Sequence, residues 1–275
     1  MSKMISYEKK NTPVHKLSGF TKLIFFILWC LTSALTFDTR VLFTMIAIGV
    51  VIYIIADVKW QQVGGIFIAV MIFMVINLVC IFFFSPYEGC KIYGSRTDIV
   101  HLFGDYTLTK QQLFYELNVF VKYFAVLPSV FIFLVTTDPS ELASSINGIG
   151  VPYTIAYALE ITLRYIPDIQ DEFHKIKNAQ EARGIEMSSK GKLFDRIKNT
   201  AIIIFPLLFS TMERIGVVSN AMELRGFGKK KKRTWYSKKP LKAADIAVIA
   251  FSVGFFVLTM FITYMDGSRF YNPFI

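Results

Sequence analysis

Five stretches of this 275-residue chain are long, apolar and almost free of charge, and they constrain the fold more than any other feature. They are Lys22 to Phe37, Val41 to Ala56, Gly64 to Phe84, Leu117 to Thr136 and Ile246 to Met265. A bilayer core about 30 Å thick needs about 20 apolar residues in helix, with some allowance for lysines that snorkel at the ends. The stretches therefore predict an all-α polytopic membrane protein with about five transmembrane helices and a helical cytoplasmic segment. The first two are short and separated only by Phe37-Asp38-Thr39-Arg40, which predicts a tight helical hairpin. Only 18 % of the residues are charged, against about a quarter in an ordinary soluble domain. No small-residue cleavage site follows the first apolar run, so that run is expected to stay in the mature chain.

Charge placement predicts the orientation. The N-terminus carries Lys3, Lys9, Lys10, Lys16 and Lys22 against a single Glu8, and the run from Lys229 to Lys242 holds eight Lys or Arg and no acid. By the positive-inside rule both lie in the cytoplasm. Five crossings then put the Ser85 to Glu116 loop and the Asp266 to Ile275 tail outside. The expected organisation is a membrane region at 1–136 with four spans, a cytoplasmic coupling domain at 137–242, and a last span with an external tail at 243–275. The basic run followed by Trp235 and Tyr236 reads as an interfacial anchor, and the net charge of +10 as a basic cytoplasmic face with no nucleic-acid partner. Leu142 to Leu159 and Asn199 to Met212 are also uncharged. The first is broken by Asn147, Gly148, Gly150 and Pro152, and the second is short with a central Pro206, so both are expected not to cross.

Within the cytoplasmic segment, Asp138-Pro139-Ser140-Glu141 has the pattern of a helix start, with Asp138 as cap and a short helix to about Asn147. A second helix is expected from Pro152, interrupted at Pro167 and ended by Gly184. After a turn over Ile185 to Gly191, a third runs from about Lys192 to Arg225.

One surface is written twice. Asn178-Ala179-Gln180-Glu181-Ala182-Arg183-Gly184-Ile185 returns as Asn220-Ala221-Met222-Glu223-Leu224-Arg225-Gly226-Phe227, with Asn, Ala, Glu, Arg and Gly in identical register. Arg183 extends a stripe of Ile169, Phe173, Ile176 and Gln180, and Arg225 extends Ile215, Val218 and Met222, at helical spacings of three and four. Glu181 and Glu223 precede their arginines by only two residues and face elsewhere. A guanidinium at the end of an apolar stripe points to a partner that supplies a carboxylate or carbonyl, which the planar fork binds bidentately. Helix capping alone explains an Arg-Gly pair, with the cation at the negative end of the dipole. It does not demand the repeated Asn and Glu.

No GxxxxGK[ST] loop is present, so any ATP dependence must come from a partner. His15, His101 and His174 are scattered, and Cys30, Cys80 and Cys90 form no CxxC pair. Neither a metal nor another cofactor is expected, and the span interiors lack the ionisable residues of a proton- or ion-coupled path.

Two helix-terminal Arg-Gly motifs, five spans, the Thr137-Asp138-Pro139 start and Leu163-Arg164-Tyr165-Ile166-Pro167 together resemble the transmembrane T component, EcfT, of energy-coupling factor (ECF) transporters. The resemblance is strongest from Thr137 to Gly228. It implies that Ala182-Arg183-Gly184 and Leu224-Arg225-Gly226 each fit a groove in one of two ABC-type ATPase subunits, supported by Asn178, Ala179, Glu181, Asn220, Ala221 and Glu223. It further implies a non-catalytic subunit in a prokaryotic cell membrane. A small S component carrying a vitamin or metal ion would be the third partner. Two rivals are a permease that forms the solute path of a conventional ABC importer, and an integral-membrane lipid-modifying enzyme, for which Asp168, Asp171 and Glu172 are the nearest candidates.

Overall fold

The computed structural model describes residues 10, 12–103, 106–184, 193–229, 234–235, 238–265 and 268–274. Its helices are α1 (Pro13–Lys16), α2 (Gly19–Leu35), α3 (Thr39–Ile55), α4 (Trp60–Phe84), α5 (Glu88–Tyr93), α6 (Lys110–Thr136), α7 (Pro139–Gly148), α8 (Tyr153–Ala182), α9 (Leu193–Leu224) and α10 (Ala243–Met265). A two-stranded antiparallel hairpin, β1 (Asp98–Phe103) and β2 (Tyr106–Thr109), precedes α6. The chain divides into two compact units, 1–141 with 238–275, and 142–237.

The first unit contains the five predicted spans. Helices α4, α6 and α10 meet the length and composition of a crossing, while α2 and α3 are shorter apolar helices. Each start has a local cause. The Ser18 hydroxyl accepts from the Thr21 N–H and caps α2, and the Asp38 carboxylate accepts from the Arg40 N–H at 2.9 Å and caps α3 in the predicted tight connection. The Thr109 hydroxyl accepts from the Gln112 N–H and caps α6.

The bundle buries two apolar clusters, one around Val63, Leu127, Phe131 and Val135, the other around Trp29, Leu42, Met45 and Ala125. The Trp29 indole N–H donates to the Ala125 carbonyl at 2.8 Å and ties α2 to α6. Around these clusters the outward faces are apolar: Ile68, Ile72, Phe73, Ile76 and Val79 are exposed on α4, as a lipid-facing helix requires.

Polar networks sit at the two ends of this bundle. At one end Asp245 accepts from the Ser18 N–H (2.8 Å), the Thr21 hydroxyl (2.9 Å) and the Lys242 N–H (2.9 Å). The Lys22 ammonium donates to the Thr136 carbonyl at 2.6 Å and lies 4.0 Å from Glu141, whose other oxygen pairs with Lys239. Lys10 closes over the α3–α4 turn by donating to Asp57 at 2.7 Å, and that hydrogen bond holds the Asp57 carboxyl below the usual carboxylate range. At the other end the tail after α10 docks. Phe37 N–H donates to the Arg269 carbonyl at 3.0 Å, Asn272 donates to the Tyr93 carbonyl at 3.2 Å, and Arg40 stacks on Tyr271.

Three sequence expectations change. The Ser85 to Glu116 region is not a simple loop: it holds α5, the β-hairpin and the first turns of α6. Helix α5 presses so closely on α6 that a Cβ at Gly89 would lie 2.3 Å from the Gln111 carbonyl oxygen, so only glycine fits there. Pro167 does not interrupt α8, which runs through it, and α9 runs through Pro206 as the sequence predicts. With that continuity Thr200–Leu224 also reaches the length and apolarity of a crossing helix. Asp138 does cap α7, accepting from the Ser140 N–H at 2.8 Å, while Glu141 turns to Lys22 and Lys239.

Candidate docking surface

Within the second unit α8 and α9 form an antiparallel hairpin. Glu172 on α8 accepts from Ser210 and from Arg214 (2.6 Å) on α9, while Tyr157 near the start of α8 packs on Phe227 just beyond α9 with ring centroids 4.9 Å apart. Arg183 lies 26 residues beyond Tyr157, so at 1.5 Å per residue the two Arg-Gly motifs stand roughly 40 Å apart, at opposite ends of the hairpin.

Both motifs end their helices in the same way. Gly184 has φ +84° and its N–H donates to the Glu181 carbonyl at 3.0 Å; Gly226 has φ +70° and its N–H donates to the Glu223 carbonyl at 2.8 Å. At the second motif Phe227 N–H also donates to the Met222 carbonyl at 3.0 Å, which completes a Schellman cap. Glycine is needed here because the left-handed conformation brings an L side chain's Cβ against the carbonyl. The equivalent partner in the first motif, Ile185, and the predicted turn to Gly191 lie outside the described residues.

The repeated side chains face outward. Asn178, Ala179, Glu181, Ala182, Arg183, Asn220, Ala221, Glu223 and Arg225 are all exposed, and Leu224 is 89 % exposed. Glu181 pairs back with Lys177 at 3.7 Å, as its position two residues before the arginine requires. Among the described residues neither the Arg183 nor the Arg225 guanidinium has an ion pair. Capping therefore accounts for the glycines, and leaves two arginines, an asparagine pair and Leu224 unexplained by the chain's own packing.

The apolar stripes are only partly covered: Ile169, Phe173, Ile176, Val218 and Met222 are half-buried and Ile215 is exposed. Ile215, Val218 and Met222 face Tyr157, Ile161 and Ile169 across a groove of about 480 Å³. Gln180 is buried, so the first stripe turns inward at its end while Arg183 stays out.

Sequence reading missed the aromatic clasp that fixes the end of α9. Tyr153, Tyr157, Phe227 and Trp235 pack together, and the Trp235 indole donates to the Asn147 side-chain oxygen at 3.0 Å. Trp235 thus packs within this unit and is half-buried there; Lys230 to Arg233 and Tyr236 lie outside the described residues. A signal was present: an apolar residue directly after a capping glycine typically packs back on the helix. The acids Asp168 and Asp171 are exposed, and Glu172 is committed to Arg214, so they form no catalytic cluster. Among the described residues no group of His, Cys, Asp and Glu is arranged to hold a metal.

Fold and surface define a multi-pass helical membrane protein with an exposed, doubled arginine motif. Comparison with known proteins gives the family. The cobalt transport protein family, CbiQ, matches residues 10–236. The energy-coupling factor transporter transmembrane protein EcfT of Leuconostoc gelidum subsp. gasicomitatum is 27 % identical over 264 residues, which cover 90 % of this chain and 93 % of that protein. Its counterpart in Streptococcus thermophilus is 24 % identical over 266 residues, covering 92 % of this chain and 94 % of that protein. The Listeria innocua counterpart is 37 % identical over 122 residues, covering 42 % of this chain and 46 % of that protein. The chain belongs to the CbiQ family, and the resemblance to the ECF transporter transmembrane component is borne out over most of its length. It is a multi-pass membrane protein of bacteria.

Proposed function

We propose that the chain is the coupling subunit of an ECF-type importer, docking two ABC-type ATPase subunits through Arg183 and Arg225 and passing their motion to a substrate-binding S component. The observation that carries this reading is the pair of exposed, identically capped arginines at opposite ends of one helical hairpin. Two sites of the same chemistry roughly 40 Å apart suit two similar protein subunits better than one ligand. Each arginine meets an acid or carbonyl on its ATPase, each glycine lets backbone approach, and hydrolysis takes place wholly on the partners. The imported solute is held by the S component and belongs to the vitamin or metal-ion class.

The salt bridge between Glu141 and Lys239 supports a single-sided placement of the hairpin. The chain leaves the bundle at Glu141 and rejoins it at Lys239, at one and the same end, so the intervening segment crosses the bilayer an even number of times. Helix α8 carries Glu160, Arg164, Asp168, Asp171, Glu172, Lys175 and Lys177 and cannot span. Helix α9 therefore stays on the same side despite its apolar length. With the basic N-terminus and the basic run before α10, that side is the cytoplasm.

The test is affinity purification of the tagged chain from its native membrane, wild type against Arg183→Glu/Arg225→Glu. Wild type is expected to retain two ATPase subunits that the double variant loses, with membrane insertion unchanged. A double variant that keeps both ATPases would return the motifs to helix capping and sink the reading.

A further inference from the structure

The tail-bearing end of the bundle holds a cavity that the coupling role does not use. A space of about 520 Å³ opens between α2, α4 and α6, with Cys30, Ile81, Val119 and Val126 among its apolar lining. At its mouth Lys122 lies 3.6 Å from the centroid of Phe37 and donates to the Ala34 carbonyl at 3.1 Å. The Arg269 guanidinium lies 5.6 Å from the same ring, and Arg269 is held there because its carbonyl accepts from the Phe37 N–H. Among the described residues neither cation has a carboxylate partner. Asp38 pairs with Arg40, Glu88 with Lys91, and Glu116 accepts from Gln112.

A second observation is independent of charge. Ser33 lines the same cavity, is 1 % exposed, and its Oγ has no hydrogen-bond partner among the described residues. A buried hydroxyl without a partner is costly, and its presence in a native helix calls for a group to complete it.

We propose that this cavity binds one anionic phospholipid, with its phosphate at Lys122 and Arg269, an ester carbonyl accepting from the Ser33 hydroxyl, and an acyl chain along Cys30, Ile81 and Val126. Lys122 spends one of its three N–H donors on Ala34, so donors remain for the phosphate. Along α2 and α6 the features follow the order of an amphiphile: cations toward the end of the bundle, the Ser33 hydroxyl near them, and Cys30 and Val126 further in. A free phosphate ion would use the cations and leave both the hydroxyl and the apolar depth unused. The site lies in the five-helix bundle and does not depend on the ATPase-docking reading.

Native mass spectrometry of the full-length chain in detergent, with phosphatidylglycerol and phosphatidylcholine added in equal amounts, tests it. Wild type is expected to retain one lipid with roughly a thirtyfold preference for phosphatidylglycerol, the effect of two nearby cations. Arg269→Gln keeps the backbone bond to Phe37 and is expected to lose about fivefold of that preference. Val126→Phe fills the cavity with both cations intact and is expected to lose the bound lipid of either kind. Ser33→Ala is expected to weaken both lipids alike. Equal retention of the two lipids by wild type would overturn the proposal, as would lipid kept by Val126→Phe. Displacement of phosphatidylglycerol by millimolar inorganic phosphate would make it a free-anion site instead. A membrane protein that co-purifies with wild type and is lost from Val126→Phe, with lipid preference unchanged, would make it a protein interface.

Discussion

The five-helix bundle and the α8–α9 hairpin both expose apolar side chains, but in different company. On α4 the exposed Ile68, Ile72, Phe73, Ile76 and Val79 stand together without a charge among them, while the polar atoms of Thr21, Gln112 and Asn118 are fully buried and paired inside the bundle. On the hairpin the exposed Ile166 sits beside Arg164 and Asp168, and Leu224 lies between Glu223 and Arg225. A surface of the first kind fits acyl chains, which offer no hydrogen bonds. A surface of the second kind is wet on one side and apolar on the other, as protein–protein interfaces are. The outward face of α4 suits lipid, and the mixed face of the hairpin suits a protein partner.

Perturbing the bundle's polar ends gives the largest expected effect. Asp245→Ala strands the Ser18 N–H, the Thr21 hydroxyl and the Lys242 N–H together, and a loss of about 4 kcal/mol of stability is expected, seen as a lower melting temperature in detergent. Asp245→Asn, which keeps one acceptor, is expected to recover part of it. Next comes Arg183→Glu, with a loss of roughly 3 kcal/mol in ATPase binding but a melting temperature within error of wild type. A parallel fall in melting temperature would mean that the arginine serves the fold. Phe227→Ala opens the aromatic clasp and is expected to cost about 2 kcal/mol, confined to the hairpin. Faster amide exchange at Ala221 to Phe227 with unchanged exchange in α2 and α6 checks it. The smallest is Gly184→Ala. Among the described residues the Cβ meets nothing within 4 Å, and the left-handed backbone resists it at about 1 kcal/mol. Binding to the ATPases should fall only slightly, and a large fall would show that a partner backbone packs against that glycine.

How much of this was legible in the sequence depends on the range of the interaction. The spans announce themselves as apolar runs, and the Asp138 cap and both glycine ends were readable because caps are local. The β-hairpin before α6 was not: Ile99, Val100 and Leu102 give a weak alternation that the surrounding polar residues mask. Pro167 was read as an interruption, but α8 runs on across it, with Glu172 beyond the proline held to Ser210 and Arg214, whereas the helix through Pro206 was expected and is found. The repeat was readable from the sequence, and it picks out the residues proposed to dock. Lys239 meeting Glu141, Trp235 folding onto Tyr153 and Ser33 lacking a partner all depend on distant pieces of chain, and no local pattern encodes them.

The two prolines carry a mechanical consequence. A proline has no N–H to give the carbonyl four residues before it, so α8 lacks one rung at Leu163 and α9 one at Ile202. A helix with a single missing rung stays stiff under load along its axis and is compliant in bending at that place alone. In the proposed coupling role, any bending of the hairpin under a partner's motion would concentrate at these two places and leave the stretches on either side straight.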